Sequence, residues 1–186
     1  MRDIDRDGML LCNIQGSIFE KSIKEYGTSS PVFVRRFMNS KVAETMDGKG
    51  FLNRPFSETN AFEALDEEYG KSKYGSVSYT PSIMFWIGYL YRYWAYTYEI
   101  PSKRIYRTIS ARELRDLYTA YHSLDPSNAI RRILEAKGIS EAPDYSIERG
   151  VKLLRKIRSN GSNTTDKSKA DSQQDSDDQR QHQGIC

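Results

Sequence analysis

The stretch that most constrains this chain is Ile83-Met-Phe-Trp-Ile-Gly-Tyr-Leu-Tyr91, an unbroken apolar and aromatic run that ends at Arg92. A membrane span needs about 20 such residues, so this run is too short to cross a bilayer. Thr80-Pro81 in front of it pairs an N-cap residue with Pro at the first helical position. Pro101 behind it stops a helix, because the residue before a proline is pushed out of the helical region. These signals predict a helix over about 81–99. At 100° per residue it has three stripes: Ile83, Trp86, Ile87, Leu90 and Trp94; then Met84, Gly88, Tyr91 and Ala95; then Phe85, Tyr89, Arg92, Tyr93, Tyr96 and Glu99. A helix apolar on nearly all sides belongs at the centre of its domain, and the rest of the chain must cover it.

The flanking punctuation is helical throughout. Ser30-Pro31 repeats the cap-plus-proline signal, with Val34, Phe37, Met38 and Val42 at helical spacing behind it and Gly48 beyond the end. Shorter helices are expected over 17–25 and 59–69, the second closed by Gly70, and Lys71–Tyr79 reads as a polar loop able to form a small hairpin. Ser110-Ala-Arg-Glu113 is a capping box, followed by a face of Leu114, Leu117, Tyr118 and Tyr121. Asp125-Pro126 opens the next helix, with Ile130, Ile133 and Leu134 in line and Gly138 as its C′ residue. A last helix is expected over 145–158, where Ile147, Val151 and Leu154 align. The expected fold is therefore all-α, a compact domain of six to seven helices around the aromatic-rich central one.

Composition refines the boundaries. The chain of 186 residues is 38% hydrophobic and 28% charged, but residues 159–186 contain only Ala170, Ile185 and Cys186 from the hydrophobic set. Such a segment buries too little surface to offset its ordering entropy. We expect a polar leader over residues 1–8, one domain over 9–158 and a disordered tail over 159–186. Net charge is +3, distributed as a near-neutral stretch over 1–80, a basic one over 81–158 and an acidic one at the end. Cys12 and Cys186 suggest no disulfide framework. With no apolar signal-peptide core at the start and no spanning segment, the expected location is the cytoplasm.

Few patterns carry chemistry. Asp3-x-Asp5-x-Asp7-Gly8 copies half of a calcium loop, yet its twelfth position is Ile14 where a bidentate carboxylate is required. We expect no metal and no cofactor. His122, the one histidine before residue 159, lies at a helix–helix turn and reads as a cap, or as a base oriented by Asp125. The pair 111–121 and 126–137 has helix-turn-helix proportions but no turn glycine. It reads as a packed helical hairpin, with Arg131 and Arg132 on the second helix. Lys152, Arg155 and Lys156 extend the basic character beyond it, as a solvated face or an anion-binding one. The third stripe of the central helix has the Tyr and Arg content of an interface hot spot, and it reads either as core or as partner surface. Arg92 needs a partner in both cases, and Glu99 is its obvious intrahelix neighbour.

Asn13-Ile-Gln-Gly16, Met84-Phe-Trp-Ile-Gly-Tyr-Leu-Tyr-Arg-Tyr-Trp94 and Tyr121-His-Ser-Leu-Asp125 resemble a family of small bacterial proteins of Gram-positive genomes, associated with toxin–antitoxin loci and sometimes labelled antitoxins. The resemblance covers about residues 9–138 and brings no catalytic residues with it. It implies a binding module that neutralises a cognate protein and performs no chemistry of its own. The expectation is a non-catalytic protein-binding module whose partner is a cognate protein such as a nearby-encoded toxin, contacted through Tyr89, Arg92, Tyr93, Tyr96, Arg104 and Arg107. The alternative is a nucleic-acid-binding regulator that contacts DNA through Arg131, Arg132, Lys152, Arg155 and Lys156.

Overall fold

A computed structural model of the chain describes residues 1–53 and 55–139, and among these there are eight α-helices and no strand. They are α1 (Arg6–Glu25), α2 (Ser30–Asn39), α3 (Lys41–Asp47), α4 (Glu58–Tyr69), α5 (Pro81–Tyr98), α6 (Ser102–Thr108), α7 (Ala111–Tyr121) and α8 (Pro126–Ala136), with a 3₁₀ turn at Phe51–Asn53. The helix expected over 145–158 and the tail over 159–186 lie outside the described residues.

Local chemistry explains most of the helix ends. The Thr80 side chain caps α5 by accepting from the Ile83 amide, and the Ser110–Glu113 capping box opens α7 as expected. Asp125 caps α8 by accepting from the Ser127 amide at 2.9 Å. Gly70, with φ at +74°, terminates α4.

Several expectations need correction. Residues 1–8 are not a separate leader: Asp5 is the N-cap of α1, accepting from the Gly8 amide at 2.8 Å, and the Arg2 amide donates to the Thr97 carbonyl. The helix expected over 17–25 therefore begins at Arg6. The segment after Ser30-Pro31 is two helices, because Ser40 leaves helical geometry and serves as C-cap of α2 and N-cap of α3. Moreover Ser29, not Ser30, occupies the N-cap of α2. The Ser30 hydroxyl instead accepts from the Tyr79 amide at 2.9 Å, while the Ser29 and Ser30 amides donate to Tyr74 and Val77 carbonyls. These bonds pin the 71–79 loop to the start of α2, and no hairpin forms there.

The central helix is α5, as its composition demanded, and its main neighbour is α1. The two run antiparallel, Gly8 lying under the Tyr96 ring and Gly16 under that of Phe85. A Cβ on Gly88 would stand 2.7 Å from the Gln15 carbonyl oxygen and 2.8 Å from the Phe19 ring. The helices thus approach at a distance that only glycine allows. Next to this seam, Phe19 meets Phe33 and Phe37 edge-on, with ring centroids 5.3 and 4.9 Å apart. Tyr26 and Phe62 extend the cluster toward α4. Helices α7 and α8 each pack on α5, and α6 packs on α2, α3 and α5. No helix among the described residues is long and apolar enough to cross a membrane.

Candidate functional site

The third stripe of α5 does not form one surface. Arg92 is 1% exposed and is among the largest fully buried side chains of the described residues. Its Nε donates to Gln15 Oε1 at 2.8 Å, one terminal nitrogen donates to Asp47 Oδ1 at 2.7 Å, and the other to Ser102 Oγ at 3.1 Å. A guanidinium presents its donors in a rigid planar fork, and here three helices besides α5 meet that fork. Gln15 uses its amide nitrogen to reach the Gly88 carbonyl at 3.0 Å. Asp47, the last residue of α3, also accepts from the Ser102 amide at 2.8 Å and so caps the start of α6. Burial draws the guanidinium below its ordinary pKa, and the Asp47 carboxylate opposes that.

Arg92 is therefore a core residue and not a contact residue. A desolvated guanidinium with each of its three nitrogens hydrogen-bonded inside the core is not presented to a partner. Glu99 is not its neighbour either; that carboxylate lies 3.6 Å from the Arg2 guanidinium. Tyr93 is buried as well. Tyr96 is half-buried and already engaged: its hydroxyl donates to Asp5 Oδ1 at 2.6 Å, and the Arg2 guanidinium lies 3.8 Å above its ring. That bond holds the Asp5 carboxyl below its usual range.

Tyr89 remains. It lines an open groove of about 540 Å³ together with Phe85, Trp86, Leu90, Tyr118 and His122. Trp86 meets Tyr118 edge-on at 5.6 Å between centroids, and Tyr118 stacks on His122 at 4.6 Å. Phe85, Trp86, Tyr89 and Tyr118 are each only half-buried. Phe85 belongs to the stripe expected to be core or partner surface, whereas Trp86 and Tyr118 join the groove from faces expected to be apolar packing. The available signal was the four-residue spacing of Phe85–Tyr89 and Tyr118–His122, which sets rings on one helical face.

Arg104 and Arg107 are exposed on α6 and line no part of this groove. Arg131 and Arg132 are exposed on α8, where the Arg131 guanidinium donates to the Asn128 side chain. Lys152, Arg155 and Lys156 lie outside the described residues.

The remaining chemistry is quickly placed. His122 Nδ1 is 2.9 Å from the Tyr118 carbonyl oxygen at the end of α7, a helix-terminating contact. Asp125 accepts from the Ser127 amide and hydroxyl, so its carboxylate serves α8 and does not orient the imidazole. Cys12 is fully buried, and burial pushes its thiol up to about 12, far from a reactive thiolate. Among the described residues no three His, Cys, Asp or Glu side chains converge on a point that could hold a metal ion. A second cleft of about 490 Å³ is lined by Arg2 and Lys49 together with Asp7, Asp47 and Glu99. Its charges are of mixed sign, and Asp47 is committed to Arg92.

No protein-family model matches this chain, and neither a curated protein nor a solved structure is significantly similar to it.

Proposed function

We propose that this protein is a non-catalytic binding module that acts in the cytoplasm by engaging a cognate protein in the manner of an antitoxin. The observation that carries this reading is the groove of Phe85, Trp86, Tyr89 and Tyr118, four half-buried rings on two helices. Large rigid aromatics are the residue types that anchor protein interfaces. A groove of this size suits one or two inserted side chains of a partner helix or loop. The contact surface differs from the one expected from sequence, since of the six expected contact residues Tyr89 alone lines the groove.

The test is co-expression with the product of the adjacent gene. The expected result is co-purification and relief of any growth arrest that product causes. Replacing Trp86 and Tyr89 together by Ala should weaken the complex at least about a hundredfold, since hot-spot truncations cost about 2 kcal/mol or more each. Failure to co-purify, or a double variant that binds as well as the parent, removes the proposal.

A further inference from the structure

We propose that the aromatic groove takes the guanidinium of an arginine side chain presented by the partner protein, held by cation–π contact with Trp86, Tyr89 and Tyr118 and by a charged hydrogen bond to Glu20. The inference rests on the reading of the groove as the contact surface and adds the chemistry its occupant must have.

Three helices contribute to the opening. Glu20 comes from α1, Phe85, Trp86 and Tyr89 from α5, and Tyr118 from α7. The rings stand in more than one plane: Trp86 and Tyr118 are set at 80°, whereas Phe85 and Tyr89 lie at 31° with centroids 6.1 Å apart. Walls in different planes can surround a guest, which a flat stack cannot. A cation within about 6 Å of a ring centroid is attracted by the ring quadrupole, and several rings around one cation form an aromatic cage.

Charge points the same way. Glu20 is exposed and is the only Asp, Glu, Lys or Arg that lines the groove. Among the described residues its carboxylate makes no ion pair or hydrogen bond. Lys21 beside it is committed to Glu58, and Arg115, one turn before Tyr118, to Asp116. Lys24, one turn along α1, does not pair with it either. Asp125, whose neighbours Leu124 and Pro126 both line the groove, adds negative charge close to Tyr89. Electron-rich rings and an unpaired carboxylate are together complementary to a cation.

Hydrogen bonding narrows the cation to arginine. The Tyr89 and Tyr118 hydroxyls make no hydrogen bond to another described residue. An apolar guest would strip water from these oxygens and from Glu20 without replacing it. A quaternary ammonium has no donor to offer them. A lysine ammonium has donors but is compact and strongly hydrated. A guanidinium lies flat on a ring, is weakly hydrated and keeps five N–H donors at its edge for carboxylate and phenol oxygens.

The experiment is an NMR titration of the full chain that follows the indole N–H signals of Trp86 and Trp94, its two tryptophans. The probe is acetyl-Gly-Arg-Gly-amide, which carries one positive charge. The Trp86 signal should shift saturably with a Kd of about 1–10 mM, the affinity of a single anchored side chain. The signal of Trp94, 2% exposed, should stay in place. The citrulline counterpart has the same shape without the charge and should bind at least about fivefold more weakly. Glu20→Gln, a change at an exposed site, should weaken the arginine peptide at least about threefold and leave the citrulline peptide within about twofold. Three results would overturn the proposal: no saturable shift at Trp86 up to about 50 mM probe, equal binding of the citrulline peptide, or tetramethylammonium binding as tightly as the arginine peptide. None of these probes needs the partner, so the two readings fail separately. A partner complex lost in the Trp86, Tyr89 double variant, with a groove indifferent to charge, removes the arginine inference alone. A charge-selective groove that the partner does not use removes the contact reading and leaves the guanidinium site.

Discussion

Two ion pairs in this molecule use the same chemistry in opposite surroundings. Arg92 and Asp47 meet at 2.7 Å with side chains 1% and 19% exposed, whereas Lys137 and Glu113 meet at 2.6 Å with side chains 28% and 49% exposed. The first draws in Gln15 and Ser102 and joins α1, α3, α5 and α6. The second links α7 to the residue just after α8 and leaves water on both partners. A buried charge that loses its partner remains desolvated, while an exposed one is simply rehydrated. The buried pair should therefore act as a unit whose loss disrupts the fold, and the exposed pair as a local clasp.

The sharpest way to break this contrast is Arg92→Met. It leaves Gln15 Oε1 without this donor and strips the Asp47 carboxylate, still held by the Ser102 amide and hydroxyl, of its cation; we expect a loss of about 3–5 kcal/mol of unfolding free energy, read by urea denaturation. Adding Asp47→Ala should restore part of that loss, because the stranded charge is then gone as well. A loss under about 1 kcal/mol for Arg92→Met would mean that the node does not hold the core.

Smaller, at about 1–3 kcal/mol, is the expected cost of Gly88→Ala, the overpacking range for a tight interior. The new methyl would meet the Gln15 backbone oxygen at 2.7 Å, and a backbone atom cannot swing aside. Gly16→Ala should cost less, since its nearest neighbour is the ring of the half-buried Phe85 at 2.9 Å. Equal costs for the two would show that the seam yields as readily beside the node as beside the groove.

The smallest effect belongs to the exposed pair. Its bond to Lys137, and next the Ser110 amide, hold the Glu113 carboxyl at about 2, below the ordinary 4.5. Because the folded-state value is depressed, this contribution is complete above pH 4.5 and is lost as pH falls toward 2. Thermal melts across that window should fall less steeply for Glu113→Gln than for the parent. At neutral pH the substitution should lower stability by well under about 1 kcal/mol. A large neutral-pH loss would erase the distinction between the two pairs.

Much of the fold was legible because its signals are local. Thr80, Ser110 and Asp125 cap the helices that follow them, and Gly70 ends α4, where the one-dimensional pattern placed them. The errors came where a distant group took over a local role. Ser30 looked like a cap until the 71–79 loop claimed its hydroxyl. Residues 1–8 looked detached until Tyr96, 91 positions away from Asp5, tied them to α5. Helix α6 was missed because its first amide is capped by Asp47, 55 residues earlier, and not by a neighbour in sequence.

The candidate site shows the same division more strongly. The sequence by itself determined that α5 is the central helix, that its neighbours are helices and that its aromatic side chains are too numerous to be all solvent-facing. It could not tell which of Tyr89, Arg92, Tyr93 and Tyr96 meets water, because stripe position specifies a direction around the helix and not what lies in that direction. Only the tertiary structure decided this. Helices α1, α3 and α6 enclose Arg92, and the N-terminal residues cover Tyr96. Tyr89 is left at an open groove. The physical reason is that burial and ion pairing depend on groups 45 to 91 residues apart, whereas helix starts and stops depend on groups three or four apart.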